Sequence, residues 1–153
     1  MRRLIMTSFI VVFAAGMALA QNNETSVTQL SNNNNATVGQ TGESNKATVD
    51  QLTGDKNTAL VTQIGGTDAT LLQNGSKNHA DLIQRTGTPR HDALLQQIGD
   101  NNKADVLSQG WVGSNDLDML QSGNKNDAVI AQMWGSNKAT VESRGDKNFA
   151  EVA

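Results

Sequence analysis

Carboxylates and imidazoles are the side chains in this sequence that could do acid–base chemistry or hold a metal ion. Asp116 and Asp118 stand two residues apart, and Asp100 lies close to Asp105. Paired carboxylates can share a proton or bind a cation. Nothing around these residues, however, has the signature of a convergent pocket. We therefore expect them to be outward-facing, solvating charge, and we expect neither a catalytic residue nor a cofactor.

The two histidines give no stronger indication of a metal centre. His79 is expected to face outward beside a lysine-containing turn, whereas His91 falls on a position that Asn holds in most copies of the repeat described below. Neither has a second His or a Cys at ligand spacing. The chain has no cysteine, which also excludes a disulfide framework. The sequence thus predicts no metal site and no enzyme.

The elements that position these side chains are copies of one pattern, Asn-x-Ala-x-aliphatic-x-Gln, which is clearest at residues 126–132. The pattern recurs with a period of about eleven residues, and such self-similarity is the signature of a repeat architecture. Copies begin at Asn23, Asn34, Asn45, Asn57, Thr67, Asn78, His91, Asn102, Asn115, Asn126, Asn137 and Asn148.

Each copy is predicted to be a β-strand. Its signature residues stand two apart, so in an extended strand they share one face, whereas a helix would scatter them around its axis. A column of mostly Ala runs beside an apolar column. The apolar column contains Val27, Val38, Val49, Val61, Leu71, Leu82, Leu95, Val106, Met119, Ile130, Val141 and Val152.

Two polar columns flank the apolar one on the same face. Burying a lone amide costs on the order of 1–3 kcal/mol, but amides stacked about 4.7–4.8 Å apart can hydrogen-bond one another. We predict a polar ladder that serves self-assembly. It consists of Asn23, Asn34, Asn45, Asn57, Asn78, Asn102, Asn115, Asn126, Asn137 and Asn148, with Gln29, Gln40, Gln51, Gln63, Gln73, Gln84, Gln97, Gln121 and Gln132.

Glycine-containing turns separate the copies, and we expect slips of the period to fall in these turns and not in the strands. A single strand cannot bury its inward face, so alternate copies should form two facing sheets. The copies at Asn23, Asn45, Thr67, His91, Asn115 and Asn137 make one sheet. The predicted fold is an all-β, two-sheet parallel β-solenoid of about six coils, with two strands per coil and about 22 residues per coil.

Residues 1–20 are expected to be a secretory signal peptide, and residues 21–153 the repeat domain. Arg2 and Arg3 precede an apolar run, and Ala18-Leu19-Ala20 supplies small residues for cleavage after about Ala20. Cleavage changes the formal charge from −3 to −5. This mildly acidic chain has no basic run to follow a phosphate backbone, so we expect no nucleic-acid partner.

The repeat resembles the curlin repeat over essentially the whole region after the signal peptide. The matching pattern is Gln121-x-Gly123-x-x-Asn126-x-Ala128-x-x-x-Gln132, and residues 40–51 and 73–84 repeat it. Thr67 and His91 depart from the Asn column, and Ser108 and Ser143 depart from the Gln column. The resemblance implies a secreted bacterial subunit of curli, the amyloid fibre of biofilm matrix. It also implies export through an outer-membrane pore and nucleation by a companion curlin.

Three other functions remain open from the sequence. The chain could be the surface-attached nucleator (minor curlin), a monomeric β-solenoid adhesin or ice-binding protein, or a β-helical polysaccharide-processing enzyme. An array without a capping segment favours assembly, because soluble solenoids cap or blunt their open edges. We expect the partners to be the chain itself, a companion curlin and the export machinery, with no small-molecule substrate.

Overall fold

A computed structural model of the protein describes residues 22–86, 91–110, 116–133 and 135–153. The predicted signal peptide and Asn115 lie outside these residues. Within them every regular element is a strand, and no helix is long and apolar enough to cross a membrane. The strands are β1 (Glu24–Gln29), β2 (Asn35–Thr41), β3 (Lys46–Thr53), β4 (Thr58–Ile64), β5 (Thr67–Asn74), β6 (His79–Thr86), β7 (His91–Ile98), β8 (Lys103–Gly110), β9 (Asp116–Ser122), β10 (Asp127–Met133), β11 (Lys138–Arg144) and β12 (Phe149–Val152).

The strands form two six-stranded parallel sheets. Sheet A contains the odd-numbered strands and sheet B the even-numbered strands, each in sequence order. Each coil therefore contributes one strand to each sheet, and the predicted two-sheet β-solenoid is confirmed. The predicted columns are in register, as in the alignment of Val27 with Val49 and of Gln29 with Gln51.

The core is a narrow layer between the two sheets, filled by the Ala and aliphatic columns. Val49, Val61, Leu71, Leu82 and Leu95 have no exposed surface. The narrow Ala column lets the sheets approach closely, which suits a core without aromatic side chains. In the terminal coils the columns are less buried, because Val27, Val38 and Val152 pack against the core from one side only.

One expectation about the spacing of the strands is wrong. We expected every slip of the period to fall in a turn, but the register of β3 against β5 shifts between Gln51 and Thr53. The extra residue, Leu52, is accommodated by a β-bulge, which leaves one residue unpaired and bends the strand locally. Because the bulge follows Gln51, the last inward column residue of β3, the inward columns stay aligned.

Candidate functional site

The Gln column of sheet A is a continuous chain of side-chain hydrogen bonds. Gln29 Nε2 donates to Gln51 Oε1 at 2.7 Å, and Gln51 donates to Gln73 at 2.7 Å. Gln73 donates to Gln97 at 2.9 Å, and Gln97 to Gln121 at 3.0 Å. All four donors point the same way along the solenoid, from the lower-numbered Gln to the higher-numbered one. The column of hydrogen bonds therefore has a polarity.

Most ladder Gln side chains also donate a hydrogen bond across the core. Gln97 Nε2 donates to the His79 carbonyl at 2.9 Å, and Gln121 Nε2 donates to the Lys103 carbonyl at 2.8 Å. In sheet B, Gln63 Nε2 donates in the same way to the Lys46 carbonyl at 2.9 Å. The Gln side chains therefore join neighbouring coils and also hold the two sheets together where one strand ends and the facing strand begins.

The Asn column works differently from the predicted amide stack. Asn78 Oδ1 accepts the backbone N–H of Asn102 at 3.0 Å, and Asn102 Oδ1 accepts that of Asn126 at 3.1 Å. In the inner coils the Asn side chain is thus bonded mainly to the main chain of the next coil. Asn45 and Asn23 additionally make a side-chain contact, at 3.2 Å.

The other end of the Asn amide holds a glycine turn of the next coil. Asn57 Nδ2 donates to the Gly75 carbonyl at 2.7 Å, and Asn78 Nδ2 donates to the Gly99 carbonyl at 2.8 Å. We call these turns the glycine corner. They lie at residues 54–57, 75–78, 99–102, 123–126 and 145–148, and each joins a strand of sheet A to the next strand of sheet B.

Glycine is required at this corner because the turns stack directly on one another. Gly75 and Gly99 have φ of 131° and 105°, and a Cβ atom on either would collide with the carbonyl oxygen of the glycine in the next coil. The sequence pattern predicts these glycines as turn formers. Their close stacking depends on the register of the coils, which the pattern does not give.

A second feature of the turns was missed. At nine positions the residue immediately before a ladder Asn has a left-handed backbone conformation, with φ between 56° and 64°. These residues are Asn22, Asn33, Ser44, Lys56, Lys77, Asn101, Lys125, Ser136 and Lys147. Left-handed geometry disfavours Lys and Ser but is tolerated by Asn, which occurs at three of the nine positions, so residue type gave only a weak signal. The fixed position before the ladder Asn was the available clue.

A third ladder runs along the outside of the glycine corner. Ser76 N donates to Asp100 Oδ1 at 2.6 Å, Asp100 N to Asn124 Oδ1 at 2.8 Å, and Asn124 N to Asp146 Oδ1 at 2.7 Å. Asp100 is exposed, as expected for solvating charge. It also links adjacent coils, which the sequence analysis did not anticipate.

The four departures from the repeat remain inside the column positions. Thr67, His91, Ser108 and Ser143 are all buried. Thr67 reproduces part of the Asn contact, because its backbone N–H and its hydroxyl both lie within 3.2 Å of Asn45 Oδ1. The substitutions leave the strand register unchanged.

The terminal strands carry backbone groups that face away from the solenoid. Asp116 N donates to the Asn137 carbonyl at 3.2 Å, which orients Asn137 and every second residue after it toward β9. Lys138, Thr140 and Glu142 therefore direct their N–H and C=O groups away from β9. By the same alternation, the bond from Glu24 N to the Asn45 carbonyl at 2.8 Å leaves Thr25, Val27 and Gln29 facing away from β3. Both ends are open strand edges within the described residues.

The residues considered for catalysis are divided between the two sheets and between the surface and the core. Asp116 and Asp118 are exposed on β9, and Asp105 lies on β8 in the opposite sheet. His91 is buried in the Asn column and His79 lies on the outer face of β6. Asp116 and Asp118 line an open surface depression of sheet A together with Asp68, Asp92 and Lys138, and neither histidine lines that depression.

The fold and its ladders define a class of protein, the repetitive β-solenoids stabilised by stacked amides. The family model described as the curlin associated repeat matches residues 20–52 and 31–65. These matches, and the same pattern continuing in register through the later coils, support a curlin-family protein. Neither curated proteins nor solved structures gave a match.

Proposed function

We propose that this chain is a secreted structural subunit, without enzymatic activity, that polymerises into a curli-like amyloid fibre of the biofilm matrix and contributes to surface adhesion. The observation that carries the proposal is the pair of open edges, which offer complementary main-chain groups and matching side-chain columns. The residues in the two predicted ladders are the proposed assembly residues. Residues 1–20 are the proposed signal peptide.

The proposed joint continues the contacts found between coils of one chain. In a head-to-tail stack, β11 of one molecule pairs with β1 of the next, so that Asn137 aligns with Asn23 and Val141 with Val27. β12 pairs with β2, so that Val152 aligns with Val38. Of these four valines, Val27, Val38 and Val152 are only partly buried against the core, and Val141 is buried but still 7% exposed. Stacking therefore removes further apolar surface from water.

The test is a proline variant at the open edge of β11. Thr140→Pro removes an N–H that faces away from β9, so it leaves the pairing of β9 with β11 in place while removing a donor from the joint. Thr140→Ala keeps that N–H and serves as the control. We expect fibre growth to slow about tenfold or more for Thr140→Pro, since a lost joint contact of about 1.4 kcal/mol corresponds to a factor of ten. Thr140→Ala should stay within about twofold of the native chain.

Wild-type fibres should give a meridional reflection at about 4.7–4.8 Å. Equal growth of both variants would contradict a joint at β11. A chain that stays monomeric would instead favour the adhesin, and one that accelerates a companion curlin without polymerising itself would favour the nucleator. We also propose export through the outer-membrane pore and a companion curlin as a partner. The export route is tested by measuring secretion of the chain from cells that lack the pore.

A further inference from the structure

The outer face of sheet B carries a cluster that strand pairing brings together from two coils. His79 and Asp81 lie two residues apart on β6, and Asp105 lies directly opposite Asp81 on β8. His79 Nε2 is 3.5 Å from Asp81 Oδ2. One ligand atom from each of the three residues lies within 4.8 Å of the other two, and this is the one such group of His, Cys, Asp and Glu found among the described residues.

The two carboxylates form an unfavourable pair without a cation between them. Like charges directly opposite on neighbouring strands repel each other. Their own column continues with Leu60 next to Asp81 and Val129 next to Asp105, so no cationic side chain lies within that column on either side. A cation held between the two carboxylates would remove this repulsion.

Lys103 already supplies a positive charge at this position. Its Nζ lies 2.6 Å from Asp105 Oδ2. This hydrogen bond raises the pKa of the Lys103 ammonium, and the charges of Asp105, Asp127 and Asp81 act in the same direction. The ammonium is half-exposed on a flexible stem, so it can leave the carboxylates when a stronger cation arrives.

We propose that His79, Asp81 and Asp105 form a binding site for Zn²⁺, for which the Lys103 ammonium is the competing cation. In a tetrahedral site with ligand bonds of about 2.0–2.1 Å, adjacent ligand atoms lie about 3.3–3.4 Å apart. The separation of 3.5 Å between His79 and Asp81 fits one edge of that tetrahedron. Asp105 completes the set by turning from Lys103 toward the ion, and water takes the remaining position.

The ligand types favour zinc over calcium or magnesium, because an imidazole nitrogen suits borderline metals whereas hard cations prefer oxygen alone. The sequence around His79 does not reveal the site, because no second His or Cys stands at ligand spacing from it. The third ligand comes from the next coil, and only the register of β6 against β8 identifies it.

Sheet A provides a matched control for simple attraction between Zn²⁺ and acidic residues. Asp92 and Asp116 are also directly opposite each other on neighbouring strands, and both are exposed. No imidazole accompanies them in their column, which continues with Asp68 on one side and Lys138 on the other. Asp92→Asn therefore removes an equivalent carboxylate without touching the proposed site.

The experiment titrates ZnCl₂ into the purified chain by calorimetry, with circular dichroism to establish that each variant is folded. We expect His79→Gln and Asp81→Asn each to weaken Zn²⁺ binding about tenfold or more. Lys103→Gln should tighten binding several-fold, because it removes the competing ammonium, and Asp92→Asn should leave the affinity unchanged. Native-like binding by His79→Gln, weaker binding by Lys103→Gln, or equal losses for Asp81→Asn and Asp92→Asn would each overturn the site.

A second measurement needs no variant. Diethyl pyrocarbonate should modify the exposed His79 and spare His91, which has no exposed surface. Zn²⁺ should protect His79 from modification at concentrations that saturate the calorimetric site. Unchanged modification of His79 in the presence of Zn²⁺ would exclude the imidazole as a ligand. Both measurements are made on the unassembled chain, so they are independent of whether it polymerises.

Discussion

Two adjacent glutamines on β7 allow the contribution of the inward ladder to be measured directly. Gln97 is fully buried, accepts a hydrogen bond from Gln73 at 2.9 Å, and donates to Gln121 Oε1 at 3.0 Å and to the His79 carbonyl at 2.9 Å. Gln96 precedes it on the same strand but lies on the outer face, half-buried between Leu72 and Leu120 of the neighbouring strands. Truncation of each to alanine removes the same atoms from opposite faces.

Gln97→Ala should destabilise the fold by about 2–4 kcal/mol. The substitution leaves Gln121 Oε1 buried without its donor, which costs about 1–3 kcal/mol. Gln73 Nε2 keeps its bond to the Thr58 carbonyl at 2.9 Å, so it adds less. The space left by the side chain adds a further penalty. Gln96→Ala should cost about 0.5 kcal/mol or less, as for most surface substitutions.

Urea unfolding of the unassembled chain, followed by circular dichroism, gives both free energies on one scale. The difference between the variants is the informative quantity, because it cancels the change in strand propensity. Losses for Gln97→Ala and Gln96→Ala that agree within about 0.5 kcal/mol would refute the inference that the stacked amides stabilise the core.

Two further predictions concern the turns and use the same unfolding measurement. Gly99→Ala should lower the free energy of unfolding by about 3 kcal/mol or more, since the new Cβ would collide with the Gly123 carbonyl and φ is 105°. Gly39→Ala, where a Cβ meets nothing within 4 Å, should be neutral or slightly stabilising. Similar losses of stability at both sites would disprove the stacking of the glycine corner. Lys77→Gly should stabilise the fold by about 1 kcal/mol because φ is 58° there. Lys46→Gly, within β3, should destabilise the fold by about 0.5–1 kcal/mol. A loss of stability in Lys77→Gly would contradict the left-handed conformation of Lys77.

The strands and their inward faces could be predicted because the information is local. The spacing of Ala47, Val49 and Gln51 fits a strand and excludes a helix, and each later copy repeats that spacing. The pairing of alternate copies followed from the need to cover each apolar face. Side-chain types alone were therefore sufficient to predict sheets, columns and coil number.

Contacts that depend on atomic direction could not be predicted. An Asn such as Asn78 has the same composition whether its amide stacks on another amide or binds the backbone of the next coil, and the structure shows the latter. The meeting of His79 with Asp105 depends on an exact register between β6 and β8, which are separated in the chain by β7 and two connections. Leu52 escaped prediction for the same reason, since one inserted residue fits a turn or a bulge equally well.

The glycine corner also bears on how such a chain can change in length over generations. The repeated sequence is one strand, yet the two ends of each strand are not equivalent. Turns at the glycine corner span four residues in five successive coils, whereas the opposite corner accommodates connections of different lengths. Loss of a single strand would transfer a stacked glycine turn to the wrong side of the solenoid. Loss or duplication of a strand pair would leave every column and both corners in place. The unit that can be lost or duplicated is therefore the coil, which contains two copies of the repeat visible in the sequence.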